Sequence, residues 1–159
     1  MKMKTEIGIN DENRQKVADE LSKLLADEVI LYTKTRNAHW NVEGDDFYNM
    51  HTFFEEQYNQ LNDVIDEIAE RCRAIGHYAP ASLKDYLALT HLTENTRLSN
   101  NSQGFIEELL TDHQQIIVIL RENVNRFATH FHDVGSSDFI TGLMKMHEKT
   151  AWMLRAHIK

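Results

Sequence analysis

One uninterrupted stretch of helical periodicity constrains this chain more than any other feature of its sequence. Residues 45–75 contain neither glycine nor proline, and apolar side chains recur there at steps of three or four. Such steps keep side chains on one face of an α-helix, so the stretch predicts about eight turns of amphipathic helix. Asp45 is its candidate N-cap, and Gly76 is predicted to follow its last turn. The seam consists of Phe47, Met50, Phe54, Tyr58, Leu61, Ile65, Ile68, Cys72 and Ile75.

Apolar residues with the same helical spacing also follow Asn10, Gly104 and Ser136. Asn10 is a candidate N-cap of the first of these stretches, and Ser136 and Ser137 are candidate N-caps of the last. A shorter segment, residues 82–90, opens with Ser-Leu-Lys-Asp, which is close to a capping box. The pattern therefore predicts four long helices, with one short helix in the connection after the second.

The scarcity of turn residues supports the same fold class. Six glycines and one proline among 159 residues are too few for a domain rich in tight turns, which disfavours a β-sheet fold. Hydrophobic residues make up 42% of the chain, enough for a buried core. We expect an all-α four-helix bundle with a short extra helix between helices two and three. We expect this bundle to form a single domain over residues 1–159, in which residues 1–9 are a short N-terminal tail.

The charge balance and the single cysteine limit the partners of the chain. Seventeen Lys and Arg against 25 Asp and Glu give a net charge of −8, which suits cations better than phosphate backbones. Cys72 alone cannot form an internal disulfide, as is usual in a reducing cytoplasm. The longest strongly apolar run, residues 116–120, is far shorter than the ~20 residues of a membrane span. We expect a cytoplasmic protein that does not enter a membrane.

The motifs of several common chemistries are missing from the sequence. It contains no glycine-rich phosphate-binding motif, no H-E-x-x-H and no G-x-S-x-G. No glutamate has a histidine three residues later, which is the spacing by which ordinary di-iron bundles place two ligands on one helix face. A di-iron site of that kind within one chain is therefore not expected.

Five residues in and before the second helix could hold a metal together. They are His39, His51, Glu55, Asp66 and Glu70, and this mixture of imidazole and carboxylate suits iron, manganese or zinc. Glu55 and Asp66 share a helix face but lie about 16 Å apart along the axis, too far for one metal ion. Two copies of the helix packed antiparallel about a two-fold axis bring the His51 end of one against the Asp66 end of the other. Any metal site built from these residues is therefore expected between subunits.

Ordinary structural explanations exist for the same residues. Helix carboxylates usually form a solvated face, and a histidine near a helix C-terminus is stabilised by the helix dipole. Asp66 and Glu70, as like charges at i, i+4, repel each other unless a cation lies nearby. His113 and His147 lie on apolar helix faces, where core or subunit-contact packing is expected.

The sequence around these residues closely resembles the Dps family, the miniferritins known as DNA-protection-during-starvation proteins. The resemblance is carried by residues 39–55, HWNVEGDDFYNMHTFFE, and by the downstream residues 66–70, DEIAE. Residues 147–155 are similar to that family's last helix, and residues 82–87 to its short helix between bundle helices two and three. The similarity covers nearly the whole chain.

The resemblance implies a hollow shell of twelve subunits that oxidises Fe(II), preferably with hydrogen peroxide, and stores ferric mineral. Each site at a two-fold axis is implied to hold two iron ions, with His39, His51 and Glu55 from one subunit and Asp66 and Glu70 from its mate. Many members have aspartate where this chain has Glu55. Trp40 resembles the family tryptophan thought to intercept stray oxidising equivalents, although a packed interface aromatic is the alternative. Asp133 and Asp138 flank the start of the last helix, where the family has acidic three-fold pores. The alternative is that they are carboxylates favoured at a helix N-terminus.

A rival interpretation is a nucleoid protein whose main task is to coat DNA. In the Dps family that role is often assigned to a lysine-rich terminal tail. Here the N-terminal candidates Lys2 and Lys4 lie among acidic residues, so DNA binding is expected to be weak or absent. A second rival is a purely structural bundle that binds no metal.

Overall fold

The computed structural model describes residues 5–94 and 97–158, and its secondary structure is entirely helical apart from one isolated bridge. It confirms the predicted all-α bundle with an extra short helix between the second and third long helices. No helix in the described ranges is both long and apolar enough to cross a membrane. The helices are α1, Asp11–Asn41; α2, Phe47–Ala74; α3, Leu83–Leu89; α4, Ser102–Asn125; and α5, Val134–Arg155.

Two helical hairpins form the bundle, α1 with α2 and α4 with α5, while α3 lies against α1. A five-residue π-helical turn, Arg126–His130, extends α4 before the chain reverses into α5. The backbone N–H of Glu43 bonds to the carbonyl of Asn100 at 3.0 Å and ties the two hairpins together at one end. The largest fully buried side chains are Leu21, Leu25, Leu31, Phe54, Leu61, Ile68, Ile75, Phe105, Leu109, Ile116, Leu120 and Phe127.

The apolar seam predicted for α2 faces this core over most of its length. Tyr58 and Ile65 are partly buried, and Phe47, in the first turn, is 44% exposed. Burial raises the pKa of the Cys72 thiol to about 11, so this residue is a neutral core side chain, as predicted. The fully buried members of the seam are Met50, Phe54, Leu61, Ile68, Cys72 and Ile75.

Three of the predicted helix boundaries are confirmed, two by hydrogen bonds and one by its backbone conformation. The Asn10 side chain accepts a bond from the N–H of Asn13 at 2.8 Å, and the Ser82 hydroxyl accepts one from the N–H of Asp85 at 3.1 Å. Gly76 follows α2 with φ +94°, a conformation that disfavours side chains with a Cβ.

Other predicted boundaries are wrong. The N-cap residue of α2 is Asp46 rather than Asp45, and its side chain makes no capping bond. Helix α5 begins before Ser136 and Ser137, because Asp133 is the N-cap and accepts the backbone N–H of Ser136 at 2.8 Å. Arg71 of α2 also bonds to Asp133, at 3.2 Å, so a residue from another helix fixes where α5 starts.

The capping bond gives Asp133 a structural role. Its side chain is 2% exposed, whereas Asp138 is exposed on the same helix. This favours the helix N-terminal alternative for Asp133 and leaves the proposed pore role of Asp138 as a prediction.

Replacing Asp133 by alanine should lower the free energy of unfolding by about 1–2 kcal/mol, because the substitution removes the cap of α5. Denaturant unfolding monitored by circular dichroism measures the change. The matched control is Asp138→Ala, which removes an exposed carboxylate from the same helix and should cost less than about 1 kcal/mol. Equal losses in the two variants would contradict the capping role of Asp133.

A chain of three buried titratable side chains crosses the core between α1, α4 and α5. The Nε2 atom of His147 lies 2.7 Å from Oε1 of Glu28, and its Nδ1 atom lies 2.8 Å from Nδ1 of His113. Glu28 and His147 are 0% exposed and His113 is 1% exposed. Both histidines are therefore core residues, one of the two roles expected from the sequence, and they are joined to a buried carboxylate.

Burial of His113 makes the stability of the bundle depend on pH. Desolvation, and then the positive charge of His147, hold the pKa of His113 well below its usual value of 6.5. The unfolded chain binds a proton at His113 as the pH falls through about 6.5, but the folded chain does not. This contribution to stability is therefore complete above that pH and is lost as the pH falls below it.

The free energy of unfolding should accordingly fall between pH 6.5 and 5 with a slope of up to about 1.4 kcal/mol per pH unit from this group. His113→Gln keeps a hydrogen-bonding side chain but cannot titrate, so it should flatten the slope. Urea unfolding at a series of pH values measures this. His130→Gln, at an exposed position, is the control and should leave the slope unchanged. An unaltered slope in His113→Gln would show that another group causes the acid sensitivity.

Candidate metal centre

The connection between α1 and α2 places His39 and His51 face to face. Helix α1 ends at Asn41 and α2 begins at Phe47, so only residues 42–46 separate them. Gly44, with φ +127°, lies in the middle of this turn, where a non-glycine residue would be strained. The two imidazole rings stack with centroids 3.8 Å apart and planes 20° apart. Two residues twelve positions apart are thereby brought together at one end of the bundle.

Each histidine bonds to the backbone of the other. Nδ1 of His39 lies 2.7 Å from the carbonyl oxygen of His51, and Nδ1 of His51 lies 2.7 Å from the carbonyl oxygen of His39. A carbonyl only accepts, so both Nδ1 atoms carry a proton, and the Nε2 atom is the one that a neutral imidazole would offer to a metal. Metal-binding histidines typically have this arrangement, in which the second nitrogen is held by a carbonyl.

One of these bonds also completes the backbone at the end of α1. The carbonyl of His39 is in the last turn of α1, where carbonyls lack the usual partner four residues on. The N–H of Glu43, which would be that partner, bonds to Asn100 instead. The imidazole of His51 takes its place. The hydrogen bond that caps the end of α1 thus also orients the ring of His51.

Glu55 lies one turn after His51 on α2 and is exposed. Its Oε1 atom accepts a long hydrogen bond, 3.4 Å, from the hydroxyl of Tyr58. The ring of Tyr58 meets the ring of His39 edge to face, with centroids 5.2 Å apart. The structure thus brings His39 and His51 into contact at one end of α2, with Tyr58 between His39 and Glu55.

Asp66 and Glu70 lie further along α2, and both are exposed. Their eleven-residue offset from Glu55 corresponds to about 16 Å of helix, so they are not part of the same cluster within one chain. Asp66 lies in an open groove of about 480 Å³ between α2 and the segment before α3. Within residues 5–94 and 97–158, no three His, Cys, Asp or Glu side chains of the single chain converge on a point where they could hold a metal ion.

Beside the histidines lies an aromatic group of which the sequence motif had singled out only Trp40. Trp40 is 62% exposed, and the guanidinium carbon of Arg36 lies 4.8 Å from its ring. The same guanidinium lies 4.9 Å from the ring of Tyr58 and donates a 2.8 Å hydrogen bond to the hydroxyl of Tyr32. Tyr32, Arg36 and Trp40 follow one another at steps of four along α1 and so share one helix face. This spacing could have indicated the group from the sequence.

The chain is similar to known proteins over most of its length. A family model for the ferritin-like domain matches residues 18–159. An uncharacterized low temperature-induced protein of Nostoc sp. is 42% identical over 153 residues, which are 96% of this chain and 86% of that protein. DNA protection during starvation protein 2 of Bacillus anthracis is 37% identical over 146 residues, covering 92% of this chain and 98% of that protein.

A solved structure gives the same result at the level of the fold. The crystal structure of the DPS protein from Vibrio cholerae, a member of a superfamily of ferritin-like diiron-carboxylate proteins, superposes with a TM-score of 0.88. The sequences are 29% identical, and the superposition covers 98% of this chain and 100% of that one. The chain described here therefore belongs to the Dps family of ferritin-like proteins.

Proposed function

We propose that this protein is a cytoplasmic miniferritin that oxidises Fe(II) with hydrogen peroxide and stores the ferric product in a hollow shell of twelve subunits. Membership of the Dps family supports iron storage and protection against oxidative damage in general terms. The observation that carries the finer proposal is the stacked pair of His39 and His51, each held through Nδ1 by a backbone carbonyl.

The proposed site is shared by two subunits. His39, His51 and Glu55 of one subunit, with the partner subunit's Asp66 and the partner subunit's Glu70, supply two imidazoles and three carboxylates. Three negative charges stabilise Fe(III) more than Fe(II), because the ion of higher charge gains more from them. Such a donor set therefore favours oxidation of the bound iron.

Two irons held together match the electron demand of peroxide. Two Fe(II) ions, one hydrogen peroxide and two protons give two Fe(III) ions and two water molecules. Because both electrons are supplied in one site, the peroxide O–O bond is broken without release of a hydroxyl radical. The excess of eight negative charges per chain favours accumulation of iron cations at the protein.

The alternative function, coating of DNA, has less support from the residues. The N-terminal candidates for phosphate contacts are Lys2, Lys4, Arg14 and Lys16. Lys2 and Lys4 lie outside the described residues, whereas Arg14 is buried and Lys16 pairs with Glu12 at 2.7 Å. The net charge of −8 repels a phosphate backbone. Coating of DNA is therefore the second candidate, and iron oxidation and storage is the first.

A mixing experiment tests whether each site is shared. His51→Ala and Asp66→Ala shells should each lose most peroxide-driven iron oxidation, because every site lacks one ligand. When the two variants are dissociated, mixed equally and reassembled, about half of the two-fold pairs are mixed and one of their two sites is intact. About a quarter of the activity should return, measured as the rate of Fe(III) absorbance after anaerobic Fe(II) loading.

Assembly and subunit exchange are the controls for this experiment. Twelve chains of 18.6 kDa give a shell of about 220 kDa by light scattering. Mass spectrometry confirms that the shells contain both variants. A mixed shell no more active than its parents would show that each site belongs to one chain.

Binding to duplex DNA should be weak at 0.15 M salt, on the order of physiological ionic strength, and should weaken further as salt is added. Gel mobility with and without a chelator measures it, since a bridging divalent cation must be excluded. Compact complexes of DNA and protein that persist in chelator at this salt concentration would favour the DNA-coating alternative.

A further inference from the structure

The segment that leads into α4 takes a hydrogen bond away from the end of α1. Residues 97–101 pass the connection between α1 and α2, where they meet Glu43 in an isolated parallel bridge. The N–H of Glu43 donates to the carbonyl of Asn100 at 3.0 Å, instead of to the carbonyl of His39. That carbonyl is thereby left for Nδ1 of His51, 2.7 Å away. The position of residues 97–101 therefore affects how the His51 ring is held.

Arg97 joins this segment to the two helices beside it, and its side chain is only 11% exposed. On α4, Nη1 lies 3.4 Å from Oε2 of Glu108, and the guanidinium carbon lies 4.0 Å from the centre of the Phe105 ring. On α1, Nη2 lies 3.5 Å from Oδ1 of Asn37. The same nitrogen donates to Oδ1 of Asn100 at 3.2 Å. One guanidinium thus links α1, α4 and the residue whose carbonyl accepts the Glu43 N–H.

A close approach at Gly104 fixes the segment independently of Arg97. A Cβ on Gly104, in the first turn of α4, would lie 2.8 Å from the hydroxyl oxygen of Ser99 and 3.0 Å from its carbonyl oxygen. The backbone of the segment therefore lies closer to α4 than any residue other than glycine would permit. The side chain of Asn101 also accepts the N–H of Gly104 at 2.9 Å and caps α4.

The hydrogen bond that competes with this arrangement is the ordinary helical one. Val42 is extended, with φ −62° and ψ +138°, and this conformation ends α1. If residues 97–101 move away, Val42 can turn helical and the N–H of Glu43 can return to the carbonyl of His39, four residues earlier. The imidazole of His51 would then compete with the main chain for one acceptor, and its orientation would be less fixed.

We propose that Arg97 is a positioning residue of the candidate metal centre. By fixing residues 97–101, it reserves the carbonyl of His39 for the imidazole of His51. This inference rests on the proposed function, because it gives His51 the role of a metal ligand. Arg97 acts on the ring through main-chain hydrogen bonds and not by contact with the metal.

Two variants disturb the segment in different ways. Arg97→Lys keeps a positive charge beside Glu108, but it lacks the planar fork that reaches Glu108 and Asn100 together. Gly104→Ala leaves every charge in place and presses its Cβ against the backbone of Ser99. Both should release residues 97–101, and light scattering confirms that each variant assembles.

Each variant has a matched control on the same protein. Arg121→Lys makes the same change at an arginine that is 61% exposed and paired with Glu148. Gly142→Ala adds a Cβ inside α5, where it meets nothing within 4 Å. Both controls should match the wild type in the measurements that follow.

Two measurements on the assembled protein follow His51. Without metal, deuterium exchange at C2 of its imidazole, measured by mass spectrometry, should be several-fold faster in Arg97→Lys and Gly104→Ala than in the wild type. Co(II) titrated alone, followed by its visible absorption, should bind about tenfold more weakly in both variants, as when a histidine ligand loses its outer-shell partner. The absorption that disappears in His51→Ala identifies the Co(II) bound at the centre.

A proline at position 43 distinguishes positioning from a general loss of stability. Proline has no N–H to donate to the His39 carbonyl, and it disfavours the helical conformation of Val42 before it. Glu43→Pro alone should therefore keep the affinity for Co(II). Combined with Arg97→Lys, it should restore that affinity to within about threefold of the wild type, because the outer-shell partner of His51 is again available.

The outcomes separate this inference from the function on which it rests. A wild type that does not oxidise Fe(II) with peroxide overturns the proposed function. A wild type that oxidises iron, but in which Arg97→Lys and Gly104→Ala change neither His51 exchange nor Co(II) affinity, overturns the role of Arg97 alone. A loss of affinity that Glu43→Pro does not restore, or that Glu43→Pro causes by itself, also overturns it. Faster exchange and weaker binding in both variants, with affinity restored by the proline, support the role.

Discussion

The fixed rise of an α-helix is the constraint on which the candidate centre depends. Helix α2 carries Glu55 near one end and Asp66 with Glu70 towards the other, and about 1.5 Å per residue keeps these groups apart. Bending the helix is not an option, because its opposite face is packed into the core along its length. A single chain can therefore hold one half of the proposed shared site in a fixed orientation, but it cannot bring Asp66 and Glu70 to that half.

Local patterns were sufficient to predict the helices but not all of their ends. The seam of α2 could be recognised because helical periodicity is a property of neighbouring residues. The start of α5 could not, because Asp133 is held by Arg71, which is 62 residues earlier in the chain. Gly104, after which the third long helix was predicted, lies inside the first turn of α4.

The candidate site was likewise predictable from the sequence only in part. The residue types at positions 39, 51 and 55 could be selected from the sequence because they fit metal chemistry and resemble a known motif. The crossed hydrogen bonds of His39 and His51, and the contact of Tyr58 with Glu55, depend on the turn geometry and side-chain conformations, which the sequence does not display. The roles of Asp66, Glu70 and Trp40 stay predictions, because they concern contacts beyond one chain or chemistry that no contact tests.

The crossed bonds of the two histidines also affect how the site can change. Each imidazole is held by a main-chain carbonyl, so replacing one histidine leaves the hydrogen bond of the other intact. The five-residue connection at 42–46 sets the distance on which both bonds depend. One residue inserted there would misalign both rings, although every ligand would still be present. The orientation of the two candidate ligands thus depends as much on the length of this connection as on the presence of the two histidines.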